Sequence, residues 1–95
     1  MALHTPMCDL LGIEYPIFAA GMGGVTMAPL TAAISAAGGC GVLGATFCTP
    51  DQLCAEIRAV REITDKPFGV DLLIPGDIPA DLTAHEVPPF PDFLE

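Results

Sequence analysis

A carboxylate set into an otherwise apolar run, Phe68-Gly69-Val70-Asp71-Leu72-Leu73-Ile74, is the first residue whose type points to chemistry. Burying Asp71 is costly unless it reaches water, a partner or a ligand. It can therefore be a solvated group at a strand mouth, the cap of a following turn, or a hydrogen-bond acceptor lining a pocket. The second candidate is Gly21-Met22-Gly23-Gly24, where missing side chains permit positive φ and close approach of the backbone to a bound molecule. Without a following Lys-Ser/Thr it is no phosphate loop, and it reads equally as a tight turn. His85 has the residue type of a general base, but a single histidine in a Pro-rich stretch reads first as surface. Cys8, Cys40, Cys48 and Cys54 form no CxxC pair, and neither His4 nor His85 is near a cysteine in sequence, so no metal site is expected.

These groups need elements to hold them. From Tyr15 to Pro50 the chain carries no charged side chain. Within that stretch follow an apolar strand (15–20), the Gly-rich turn (21–24), an Ala-rich helix from Met27 to Ala37, and a second apolar strand from Cys40 to Ala45 ending in Thr46-Phe47-Cys48. Two continuous apolar runs joined by a helix make a βαβ unit with a parallel sheet covered by helices. Ligands of such sheets bind at the carboxyl ends of the strands, where the Gly-rich turn lies. The first helix is expected to start near Thr26 as cap, with Pro29 in its first turn. It should bury a small-residue face of Ala33, Ala36 and Ala37 with Leu30 and Ile34, and stop at Gly38. The second helix has the clearest signals: Thr49 as N-cap, Pro50 at the first position, and Gln52 completing a capping box. Leu53, Ile57 and Val60 form its buried face, with Cys54 packing on or beside it and Glu56, Arg58 and Glu62 pointing outward. Asp65-Lys66-Pro67 ends this helix, and 68–74 is the third strand. Residues 8–14 read as a lead-in segment or short hairpin. After Ile74, Pro75, Pro79, Pro88, Pro89 and Pro91 exclude long helices and central strands, leaving room for a short turn of helix between Asp77 and His85.

The chain has 95 residues, 52% of them hydrophobic and 16% charged, with a mean hydropathy of +0.57. A parallel α/β fold needs more chain than this to cover both sheet faces, so the composition reads as the interior of something larger. The net charge is −9, and the three basic residues, Arg58, Arg61 and Lys66, lie close together. A nucleic-acid partner held through phosphates is therefore excluded. Asp77, Asp81, Glu86, Asp92 and Glu95 follow Pro75 with no basic residue among them and read as a solvated acidic loop. The glycine pairs at 23–24 and 38–39 and the prolines at 16, 29 and 50 argue against a membrane span. The first residues lack a basic n-region. The cysteines read as reduced thiols of a cytoplasmic protein.

The order of segments resembles the nitronate monooxygenase (2-nitropropane dioxygenase) family. The motifs that carry the likeness are Leu11-Gly12-Ile13-Glu14-Tyr15-Pro16-Ile17, Ala20-Gly21-Met22, Ala36-Ala37-Gly38-Gly39-Cys40-Gly41-Val42-Leu43, and Leu53 through Ile63-Thr64-Asp65-Lys66-Pro67-Phe68-Gly69-Val70-Asp71-Leu72. The resemblance implies an α/β fold: residues 1–75 as the amino-terminal portion, about three strand-helix units, of an FMN-binding TIM (βα)8 barrel, with 76–95 a Pro-rich acidic loop or tail. It implies an oxidoreductase that oxidises alkyl nitronates with O2 through non-covalently bound FMN. It further implies cofactor contacts at Ala20, Gly21, Met22 and Asp71, the last standing where the family has Asn. No catalytic residue is transferred: His4 precedes the barrel and His85 lies in the Pro-rich stretch, so the chain alone is expected to be inactive and to need an oligomer or the rest of a barrel of about 250 residues. Two other readings stand beside this one. One is a related FMN barrel acting as an NAD(P)H:quinone or enoyl reductase. The other is a non-enzymatic α/β chain that uses its apolar sheet edge as an interface.

Overall fold

A computed structural model describes residues 3–74. Residues 76–95, with the short helical turn and His85 expected there, lie outside the described residues. The elements are α1 (Pro6–Leu11), α2 (Ala28–Ala36), β1 (Gly41–Gly44), α3 (Pro50–Ile63) and β2 (Phe68–Asp71). Among them no helix is long and apolar enough to cross a membrane.

β1 and β2 pair in parallel, with Gly41 opposite Phe68 and Gly44 opposite Asp71. Their connection is α3, so the full parallel unit is β1-α3-β2, and not the expected unit of strand 15–20, Ala-rich helix and strand 40–45. The first apolar run does not form a full strand. It contributes a single parallel bridge, Phe18 to Cys40, in which Cys40 N–H donates to Ile17 O and Ala19 N–H to Cys40 O. Pro16 has no N–H to give a ladder, and the N–H groups of Glu14 and Tyr15 both turn to the Gly38 carbonyl. The third strand is likewise shorter than expected, ending at Asp71.

Residues 6–11 are helical, correcting the expected lead-in or hairpin. Pro6 suits a first helical position, and Gly12 ends the helix with φ of 71°. Cys8 of this helix packs with Ile13 and Cys40 in a small buried cluster. Burial pushes the Cys40 thiol up, in keeping with a packing role in this cluster.

α2 is capped one residue later than expected. Met27 is the N-cap and offers no side-chain acceptor. Its buried residues are Ala28, Thr31, Ala32 and Ser35, one continuous i, i+3, i+4, i+7 face, in place of the face through Ala33 and Ala36. The reason is contact distance. A Cβ on Gly41 would fall 2.8 Å from the Thr31 carbonyl carbon and Cα, so strand and helix backbones touch. Gly41 N–H donates to Ser35 Oγ at 2.9 Å, which satisfies the hydroxyl that this packing buries. Gly38, at φ of 107°, stops the helix as expected, and its N–H bonds Ser35 O.

α3 follows its sequence signals closely. Thr49 and Gln52 form the reciprocal capping box, with Thr49 N–H to Gln52 Oε1 at 2.9 Å and Gln52 N–H to Thr49 Oγ1 at 3.2 Å. Val60 is fully buried, and Leu53, Ile57 and Phe68 pack with it around Ala28, Ala32 and Leu43. Two expectations on this helix are corrected. Cys54 is exposed and does not pack. Glu56 does not point freely outward: its Oε2 accepts the Ala28 N–H at 2.7 Å and supplies the cap that α2 lacks.

Candidate functional site at the strand ends

Three chain segments meet at the carboxyl end of the small sheet. Gly44 and Asp71 are register partners, and Ala45 N–H donates to Asp71 O at 3.1 Å. Over them runs the turn after Ala20. Gly21 lies against the Asp71 side chain so closely that a Cβ there would fall 2.6 Å from Oδ2 and 2.9 Å from Cγ. Met22 backbone lies on Gly44, whose added Cβ would sit 2.7 Å from Met22 N. The turn therefore crosses the end of β1 at the one strand residue that leaves room for it and reaches the carboxylate of β2. Two glycines on different elements are needed for this, neither for a positive φ. Of the four glycines expected to bend the loop or stop the helix, only Gly24 and Gly38 have positive φ.

Thr26 holds the turn. Its hydroxyl accepts the Met22 N–H at 2.7 Å and lies 3.2 Å from Met22 O, while Thr26 N–H donates to that same carbonyl at 2.9 Å. Its own carbonyl accepts the Gly44 N–H at 3.0 Å and the Thr31 hydroxyl at 3.3 Å. Thr26 is completely buried, and all its polar atoms are used to fasten the turn to β1 and α2. Sequence reasoning took it for a helix cap. A hydroxyl four residues after Met22 is the signal that was present, but it does not distinguish a loop staple from a cap.

The four residues expected at the site are thus brought together in one place. Ala20, Met22 and Asp71 are exposed and Gly21 is half-buried. Met22 has both backbone polar groups occupied by Thr26 and Val25. Among the described residues Ala20 and Gly21 make no backbone hydrogen bond. Asp71, when ionised, only accepts. His4 is elsewhere: its Nε2 bonds Asp9 Oδ1 at 2.7 Å on the exposed side of α1. Gly12, at the end of that helix, lies beside Pro67 before the start of β2, whereas Asp71 closes the strand. Among the described residues no group of three or more His, Cys, Asp or Glu side chains is placed to hold a metal ion.

Comparison with known proteins decides the family. A family model described as nitronate monooxygenase matches residues 4–91. The chain belongs to the nitronate monooxygenase family. A probable nitronate monooxygenase of Staphylococcus saprophyticus is 44% identical over 77 residues, 81% of this chain and 22% of that protein. A relative from Mycobacterium tuberculosis, (3aS,4S,5R,7aS)-5-hydroxy-7a-methyl-1-oxo-octahydro-1H-indene-4-carboxyl-CoA dehydrogenase, is 47% identical over 72 residues, covering 76% of this chain and 20% of the relative. FabK from Thermotoga maritima superposes with a TM-score of 0.69 at 46% identity, over 70% of this chain and 22% of that one. The chain therefore spans about a fifth of the length of the relatives it matches. Relatives with a monooxygenase name and with a dehydrogenase name both match this segment.

Proposed function

We propose that this chain forms the flavin-facing side of an FMN-dependent oxidoreductase that oxidises alkyl nitronates with O2, within the first strand-helix units of a TIM barrel. The contact of Gly21 with Asp71 carries this reading, because it gathers backbone amides and an acceptor at the carboxyl ends of parallel strands. The donor set fits FMN. The edge of a flavin ring presents carbonyl and ring-nitrogen acceptors together with one N–H, and its ribityl chain presents hydroxyls. Ala20 and Gly21 would supply backbone N–H groups, and Asp71 an acceptor for the ring N–H or a hydroxyl. FMN, when bound, supplies the electron transfer from nitronate towards oxygen. The role of this chain is to bind and orient the ring edge, and neither His4 nor any other described residue is assigned a proton transfer.

Asp71 also sets the charge at that edge. A carboxylate resists the build-up of negative charge beside it, so Asp71→Asn is expected to raise the flavin reduction potential. If the charge costs on the order of 1.4 kcal/mol, the rise is about 30 mV for a two-electron couple. Because the amide also accepts, FMN affinity should change little in the same variant. An unchanged potential in the FMN-loaded Asp71→Asn chain would remove Asp71 from the cofactor site.

The outer strand segments support the barrel reading. Ile17 and Phe18 on one side and Val70, Leu72 and Leu73 on the other are exposed apolar residues of the sheet and its continuation. They call for cover by further barrel strands or by a second copy. A second reading keeps the cofactor and changes the substrate. The Mycobacterium tuberculosis relative bears a dehydrogenase name, which favours a reductase or dehydrogenase acting on a quinone or an acyl thioester. Oxygen uptake with a nitronate, measured beside NAD(P)H oxidation with a quinone on the assembled barrel, separates the two.

A further inference from the structure

Phe47 follows β1 at the same end of the sheet and is 88% exposed, more than any other large hydrophobic residue described. Its ring edge rests on the Gly-rich turn, with Cδ2 and Cε2 at 3.1 and 3.2 Å from where a Gly23 Cβ would be. Beneath it, a cavity of about 300 Å³ runs between the starts of α2 and α3, with Met27, Phe47, Cys48, Gln52 and Glu56 among its walls and Gly44 in its floor. Two of the polar wall atoms are engaged: Glu56 Oε2 takes the Ala28 N–H, and Gln52 Oε1 takes the Thr49 N–H. The apolar part of the walls is the Phe47 ring, the Met27 thioether and the Cys48 side chain. The volume lies at the low end for small-molecule sites and suits a short chain. Gly44 connects this cavity to the cofactor edge, since it also carries the Met22 backbone.

The geometry points to this cavity as the site that receives the alkyl chain of the substrate, with Phe47 as the residue that sets which chain lengths are accepted. The inference rests on the flavin-site reading for the position of the reacting end and names the place of the other end. An apolar wall converts chain length into affinity at about 0.8 kcal/mol per buried methylene, roughly fourfold each.

The test is a titration of the chain, labelled with 13C at the methionine methyls, with primary nitroalkanes from nitroethane to nitrohexane. The Met27 methyl is expected to shift while that of Met7, on α1, does not, and Kd should fall about fourfold per added carbon until the cavity is full. Phe47→Ala should flatten that dependence and Phe47→Leu should keep most of it. Both substitutions are at an exposed side chain, so the fold is not at stake. A Kd independent of chain length, an equal slope in Phe47→Ala, or equal shifts at Met7 and Met27 would overturn the inference. FMN added in a separate titration is read at the Met22 methyl. A silent Met22 with a responsive Met27 would count against the flavin site alone, and the reverse would count against the alkyl cavity alone.

Discussion

Replacing Gly41 with alanine is expected to destabilise the fold by about 3 kcal/mol or more, the upper range for inserting a methyl group into a close-packed contact. The added carbon would meet the Thr31 carbonyl group and Cα, which are backbone and cannot rotate away. Relief requires α2 to lift from β1. That movement would stretch the Gly41 N–H bond to Ser35 Oγ and the Gly44 N–H bond to Thr26 O, and it would open the packing of Ala28 and Ala32 on Leu43. Against a total stability of about 5–15 kcal/mol, the loss is large. Thermal unfolding followed by circular dichroism should show the midpoint falling by more than about 10 °C. A midpoint unchanged within a degree or two would mean that α2 does not lie on β1 through this glycine.

The second large effect concerns binding, and it is expected at a residue that touches no cofactor. Thr26→Val keeps the β-branched shape but removes the hydroxyl that accepts the Met22 N–H. A buried donor left without a partner costs about 1–3 kcal/mol, so the turn either opens or is held at that cost. In either case Gly21 is no longer fixed against Asp71. FMN affinity should fall about tenfold or more, since each 1.4 kcal/mol is tenfold. Thr26→Ser restores the hydroxyl and should bind FMN almost as the parent does. This pair separates a positioning role from simple loss of volume: serine is the smaller residue, yet it is the one expected to function. Equal affinity in Thr26→Val and the parent would show that the turn does not depend on this staple.

What could be read from the sequence was what is encoded within a few residues. The α3 capping box, its Leu53, Ile57 and Val60 face and the stop at Gly38 all depend on local spacing, and all are present. Where the reading failed, a distant atom had changed a local preference. Thr26 was free to cap α2 until Met22 claimed its hydroxyl. Glu56 had the position of a solvated face residue, yet an uncapped N–H on Ala28, far away in sequence, drew it inward. The small-residue face of α2 was placed on the wrong alanines because its position is set by Gly41, which belongs to the strand and not the helix. The expected site residues Ala20, Gly21, Met22 and Asp71 were named through a family resemblance. Their convergence depends on the absent side chain of Gly44, which no local pattern reveals.

The central claim, that these strand ends hold FMN, is tested most directly by mixing the purified chain with FMN, separating protein from free flavin by size, and recording the visible spectrum of the protein peak. The account predicts a retained flavin band near one FMN per chain, carried by an assembled species that covers Ile17, Phe18, Val70, Leu72 and Leu73. It predicts that the band is weakened in Thr26→Val and kept in Thr26→Ser. A folded chain that elutes colourless at saturating FMN, or a band equally strong in Thr26→Val, would contradict it.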